Sequence, residues 1–216
     1  MILTPIAPER LGGALDRFAA QLDDAARHAF ARIRGTSCER AAGIAAGRHR
    51  QEALKIAEHF GVPVHPPDTR PGFNWDGSAL DGDTEAYVVL HEVAHFVLAP
   101  PERRRLVDFG LGPGPDTCER AAAESAAVMP LLEREVDEAQ ASLLGILWEA
   151  ELGHPALASF LDQNWLEGAE RPGTAAHFTA VLTALCDSGF IDAAGRPRPH
   201  LRETTDQESA LRGPAK

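Results

Sequence analysis

The segment "YVVLHEVAHFVLAPP", Tyr87 to Pro101, sets His91, Glu92 and His95 inside the most apolar run of the chain. Polar side chains buried in a core need partners, so the fold must supply them for two imidazoles and a carboxylate. Thr84 can cap a helix ahead of this run, and Pro100 and Pro101 must stop one after it, which predicts a helix from Thr84 to about Ala99. On that helix His91 and His95 lie one turn apart on one face. Two imidazole nitrogens so placed can share one divalent ion at about 2.0–2.1 Å. Glu92 projects to one side of the pair, where zinc peptidases with this motif hold the carboxylate that activates a metal-bound water.

Two histidines do not complete such a site, and a third ligand must come from another element. The best source downstream is "LLEREVDEAQASLLGILWEAELG", a helix rich in carboxylates whose Leu131, Leu132, Ala139, Leu143, Ile146 and Leu147 suggest an inward face. Glu138 stands beside Ala139 and Ala141, small residues that let helices approach closely, and is the chosen third ligand, with Glu135 second. Tyr87, one turn before His91, is a candidate to contact substrate. Asp108 is a candidate to orient a ligand histidine through its second ring nitrogen, a common arrangement at metal sites. His177, in a late apolar helix, is a candidate supporting group. Arg103, Arg104 and Arg105 read as solvated or paired with nearby acids.

Around this motif the pattern is helical. Residues 8–34 carry Leu11, Leu15, Phe18, Leu22, Ala26, Ala29 and Ile33 at helical spacing, and Gly35 ends the run. A second helix is expected over 37–61, with Ser37 as its cap and Ile44, Leu54, Ala57 and Phe60 facing the core. Pro, Gly and Asp dominate residues 62–83, which read as a long loop with a short strand at "VPV" and with Asp76, Asp81 and Asp83 as turn formers. Its length and its Phe73 and Trp75 suggest a lid over the site. A helical stretch over 117–152 should be divided by Pro130, and two more helices fit 155–168 and 174–189. Alternating βα units are absent. The expected fold is mainly α, with at most a few short strands, in which the HExxH-bearing helix packs against a second ligand-bearing helix. Residues 1–202 are expected to form a single helical metalloenzyme domain, and 203–216 a polar, disordered tail.

Composition narrows the partners. The 216 residues carry a net charge of −11, which argues against sequence-independent binding to nucleic acid or to an anionic membrane surface. The first residues lack the basic and apolar regions of a signal peptide, and no run is apolar enough for a membrane span. Cys38, Cys118 and Cys186 are few and widely spaced, so a reducing cytoplasm is expected rather than a disulfide framework. The remaining partner is a small molecule or the side chain of a peptide or protein.

The block from His91 to Gly110, "HEVAHFVLAPPERRRLVDFG", resembles the elongation factor P hydroxylase family, in which an HExxH motif is followed at this spacing by RRxLVDFG. The matching residues are His91, Glu92, His95, Ala99, Arg103, Arg104, Leu106, Val107, Asp108, Phe109 and Gly110. A glutamate about fifteen residues before Gly-x-Pro fits Glu138 with Gly153–Pro155. The segment "EAQAS" is also similar to the third-ligand segment of several HExxH peptidases. Phe96 stands where the family has Trp, and the regions before Thr84 and between Gly110 and Glu138 differ in character. The resemblance implies a non-haem Fe(II) oxygenase with His91, His95 and Glu138 as ligands, Glu92 handling protons nearby, and a hydroxylation or related oxidation as the reaction. Without the resemblance, the same three ligands with Zn2+ and Glu92 as general base describe a metallopeptidase or other hydrolase.

Overall fold

A computed structural model describes residues 6–69, 71–115, 117–167 and 172–202. The expected tail, 203–216, lies outside the described residues. The chain is mainly helical: α1 (Pro8–Ala20), α2 (Asp24–Arg34), α3 (Gly43–His59), α4 (Ala86–Leu98), α5 (Arg120–Ala126), α6 (Leu131–Leu152), α7 (Ala156–Asp162) and α8 (Pro172–Asp187). Short 3₁₀ turns follow α4 at Arg103–Arg105 and Val107–Gly110. Among the described residues, extended pairing is confined to single bridges such as Val64 with Leu80, so "VPV" contributes one bridging residue. Among the described residues, no helix is long and apolar enough to cross a membrane. The described residues cluster into two compact units, one of 6–52 with 142–198 and the other of 53–141 with 199–202; the changeovers at the two ends of 53–141 fall within α3 and α6.

The first unit is organised around aromatic rings. Phe18, Phe30, Phe160 and Phe178 are buried and meet mostly edge to face, Phe18 and Phe30 at 4.9 Å between centroids. This explains why residues 8–34 form two helices and not the expected one. On a continuous helix Phe18 and Phe30 would stand about 18 Å apart. A break at 21–23 folds α2 back, and Asp23 caps it by accepting a hydrogen bond from the Ala26 backbone at 2.8 Å. The expected 37–61 helix is also shorter. Ser37 bonds the Glu39 backbone at 3.0 Å, and Arg40 is drawn to Ser159 and Asp162, so α3 starts only at Gly43. Ile44, expected in the core, is 95% exposed.

In the second unit α4 is buried on nearly every side by Val88, Val89, Leu90, Val93, Ala94, Val97 and Leu98. Its predicted limits hold to within two residues, although Glu85 and not Thr84 occupies the cap position. The 62–83 loop is pinned to this unit. Asp76 accepts from the Ser78 and Ala79 backbones, Asp81 from Asp83, and His65 and Leu80 exchange backbone bonds with Leu80 and Pro63. Trp75 is 2% exposed and lies in the core, not on a flap. Pro130 separates α5 from α6 as expected. The first turns of α6 do not face inward: Leu131, Leu132 and Val136 are exposed, and the buried face begins with Asp137 and Ala141.

Candidate metal centre

His91 and His95 sit in the middle of α4, their Nε2 atoms 3.0 Å apart. Glu138 reaches them from α6, with Oε2 3.4 Å from His91 Nε2 and 3.5 Å from His95 Nε2. These three are the group of metal-type donors that converges among the described residues, all within 4.8 Å of one another. The spacing fits a shared cation, since bonds of about 2.0–2.1 Å at angles of 90–110° place ligand atoms about 3.0–3.4 Å apart. His95 is 2% exposed, whereas the side chains of His91 and Glu138 keep 21% and 50% of their surface, so one side of the group is open.

The chain supports His95 from behind. Its Nδ1–H donates to Asp137 Oδ2 at 3.0 Å, and the other oxygen of Asp137 receives Arg103 at 2.6 Å. That arrangement keeps one ring hydrogen on Nδ1, so Nε2, which faces Glu138, is the nitrogen that would exchange its proton for a cation. Arg103, read in the sequence as solvated or paired, is the buried, paired one of the three arginines; it also touches Met129 Sδ. Arg104 instead bonds the Phe96 carbonyl and lies over the Phe96 ring at 4.9 Å.

The "LVDFG" block acts through its backbone. Asp108, Phe109 and Gly110 take φ of 42°, 53° and 72°, the left-handed region that Asp tolerates and a bulky ring does not favour. The turn drives the Phe109 ring between Trp75, stacked at 5.3 Å, and His95, stacked at 5.6 Å. Trp75 is fixed in turn by donating its indole N–H to the Arg104 carbonyl at 2.8 Å. The imidazole of His95 is thus clamped on one side by an aromatic stack and on its edge by a carboxylate.

Charges in the group reinforce one another. Burial opposes the protonated form of His95, but Glu138 and Asp137 outweigh it and hold its pKa well above the ordinary value. Burial alone would raise Glu138; His95 and His91 reverse this and keep it ionised far below the usual carboxylate range. Asp137 is lowered in the same way, against burial, by His95 and Arg103. Glu92 goes the other way, because burial dominates and raises it. Its Oε1 accepts from Asn74 Nδ2 at 3.1 Å.

Of the other residues singled out in the sequence, Glu135 is exposed one turn before Glu138 and is not part of the convergent group. Tyr87 is half-buried one turn before His91. Asp108 does not hold a ligand ring; its Oδ2 accepts from Thr117 Oγ1 at 2.7 Å, and Asp137 makes the bond to His95. His177 belongs to the first unit, where it is exposed and stacked on Trp165 at 5.5 Å. Asp137, Asn74 and Phe109 were missed as site residues. The signal for Asp137 was its place next to Glu138, since adjacent carboxylates on a helix point about 100° apart and can serve a ligand and its neighbour together. Comparison with protein-family models, with curated proteins and with solved structures finds no match.

Proposed function

We propose that the chain is a non-haem Fe(II)-dependent oxygenase that hydroxylates a small molecule or a peptide or protein side chain. The observation that carries this reading is the convergence of two imidazoles and one carboxylate with one side left open. A two-histidine, one-carboxylate set of this kind suits Fe(II) and keeps positions free. The resemblance of His91–Gly110 to the elongation factor P hydroxylase family points the same way. Bound Fe(II) would supply the binding and activation of O₂. His91 Nε2, His95 Nε2 and Glu138 Oε2 would hold it. Asp137 would hold the hydrogen on His95 Nδ1 so that Nε2 is the atom given to the cation, and Phe109 fixes the plane of that ring. Glu92, with Oε1 engaged by Asn74, would hold or release a proton at Oε2. Substrate would enter on the side of His91 and Glu138. A cytoplasmic setting, expected from three widely spaced cysteines, belongs to the same reading.

A second reading is a zinc hydrolase with Glu92 as general base. It is favoured by the place of Glu92 beside the first ligand and by its raised pKa, which brings a carboxylate toward the range useful for proton transfer. Metal content separates the two when protein is isolated without tag or chelator from cells given both iron and zinc. Near-stoichiometric iron that disappears in His91→Ala, with O₂ uptake in the presence of a reductant, supports the oxygenase. Peptide cleavage under nitrogen with zinc alone, abolished by Glu92→Gln, overturns it.

A further inference from the structure

The first unit buries a second set of imidazoles and carboxylates that the metal centre does not use. His49 and Glu52 lie on α3, Glu149 in the last turn of α6, and His154 follows Gly153, whose φ of 73° closes that helix. His49, Glu149 and His154 are 5%, 1% and 3% exposed. His154 Nε2 stands 2.6 Å from Glu52 Oε2, and His49 Nε2 stands 3.3 Å from Glu149 Oε1. The two rings are stacked 4.1 Å apart at an interplanar angle of 20°. His49 Nε2 and Glu149 Oε1 make no hydrogen bond, although both are buried. The four side chains do not converge on one point as the His91, His95 and Glu138 donors do, so a shared cation does not account for them.

Protons do account for them. A nitrogen lone pair facing a carboxylate oxygen is repulsive, so a hydrogen belongs on Nε2 of each ring, and Nδ1 is where each can take another. One added proton gives an imidazolium beside a carboxylate. A second gives two like charges in stacked rings, with Arg48 close by as a third positive group. Glu151, further along α6, is paired with Arg32 and Arg196, and Asp162 of α7 with Arg40.

We infer that His49, Glu52, Glu149 and His154 form an acid-sensitive clasp joining α3 to the end of α6, closed while the stacked rings carry at most one extra proton and loosened by the second. The direction of the effect follows from His154. Burial, with His49 and Arg48 acting alike, lowers its pKa below 6.5 against the pull of Glu52. A histidine whose folded value lies below its unfolded one contributes full stability above about pH 6.5 and loses it as the pH falls toward the folded value.

The test is urea unfolding of the full chain between pH 8 and 5, comparing the natural protein with His154→Gln. The expected result is a midpoint that falls with acidification, more steeply in the natural protein, where the unfolding constant rises by up to about tenfold more per pH unit than in the variant. The histidines of the metal centre are common to both proteins and cancel in the difference. Equal slopes overturn the inference. If His154→Gln does not fold, NMR titration of the natural protein decides. A His154 titration clearly below pH 6.5, accompanied by faster amide exchange in residues 153–156, supports the clasp. A His154 titration at or above 6.5, or exchange unchanged through its titration, refutes it.

Discussion

Asp137→Asn isolates the support behind His95 in the candidate metal centre. The natural carboxylate accepts from His95 Nδ1 with one oxygen and from Arg103 with the other. Asparagine has a single oxygen. If that oxygen stays with Arg103, the amide NH₂ faces His95 Nδ1 and favours the tautomer with hydrogen on Nε2, the atom that must be bare to bind a cation. Losses from such supporting bonds run to about 10–100-fold in metal affinity, or about 1.4–2.7 kcal/mol. Without metal, the ion pair with Arg103 is reduced to a bond charged on one side only and the carboxylate bond from His95 is lost, so the apo protein should lose about 2 kcal/mol. Calorimetric titration with Co²⁺ or Zn²⁺ measures the first effect and urea unfolding in chelator the second. Glu135→Gln, on the exposed side of the same helix, is the control and should change neither. Metal affinity within threefold of the natural protein, with folding intact, would refute the claim that Asp137 sets the state of His95.

Three further outcomes follow from the surrounding packing. Phe109→Ala should cost about 3–5 kcal/mol by denaturant unfolding, because the ring is fully buried between Trp75 and His95; a loss below 1 kcal/mol would mean that the stack does not brace the site. Gly77→Ala should destabilise by more than about 1 kcal/mol, since φ is 91° and the new Cβ would meet the Arg105 carbonyl oxygen at 2.7 Å; an unchanged melting temperature would contradict that close approach. Asp76 is held at a pKa of about 2, where hydrogen bonds from Ser78, Ala79 and His65 overcome the opposing effect of burial. Its stabilisation is complete above the unfolded value of about 3.8 and is lost as pH falls to 2. After screening by solvent it is about 1 kcal/mol, and Asp76→Asn should flatten the acid limb of the stability profile by that amount.

Much of the local structure was legible in the chain. A helix over Ala86–Leu98 followed from its apolar run and the two prolines, and the pairing of His91 with His95 followed from the helical repeat. The approach of Glu138 to His91 and His95 was legible because a metal site built on two histidines would need another ligand and the alanines around this glutamate allow close approach. The sequence could not reveal the break at 21–23. Apolar spacing is the same for one helix as for two, and only the meeting of Phe18 with Phe30 distinguishes them. It could not separate Asp137 from Asp108 as the partner of His95, because both are single carboxylates at plausible distances along the chain. That choice rests on a left-handed turn at Asp108–Gly110, which points one carboxylate to Thr117 while α6 brings the other to the ring. The stacked pair of His49 and His154 was invisible for the same reason. Local periodicity fixes which residues share a face of one helix, but contacts between residues far apart in sequence exist only once helices have packed.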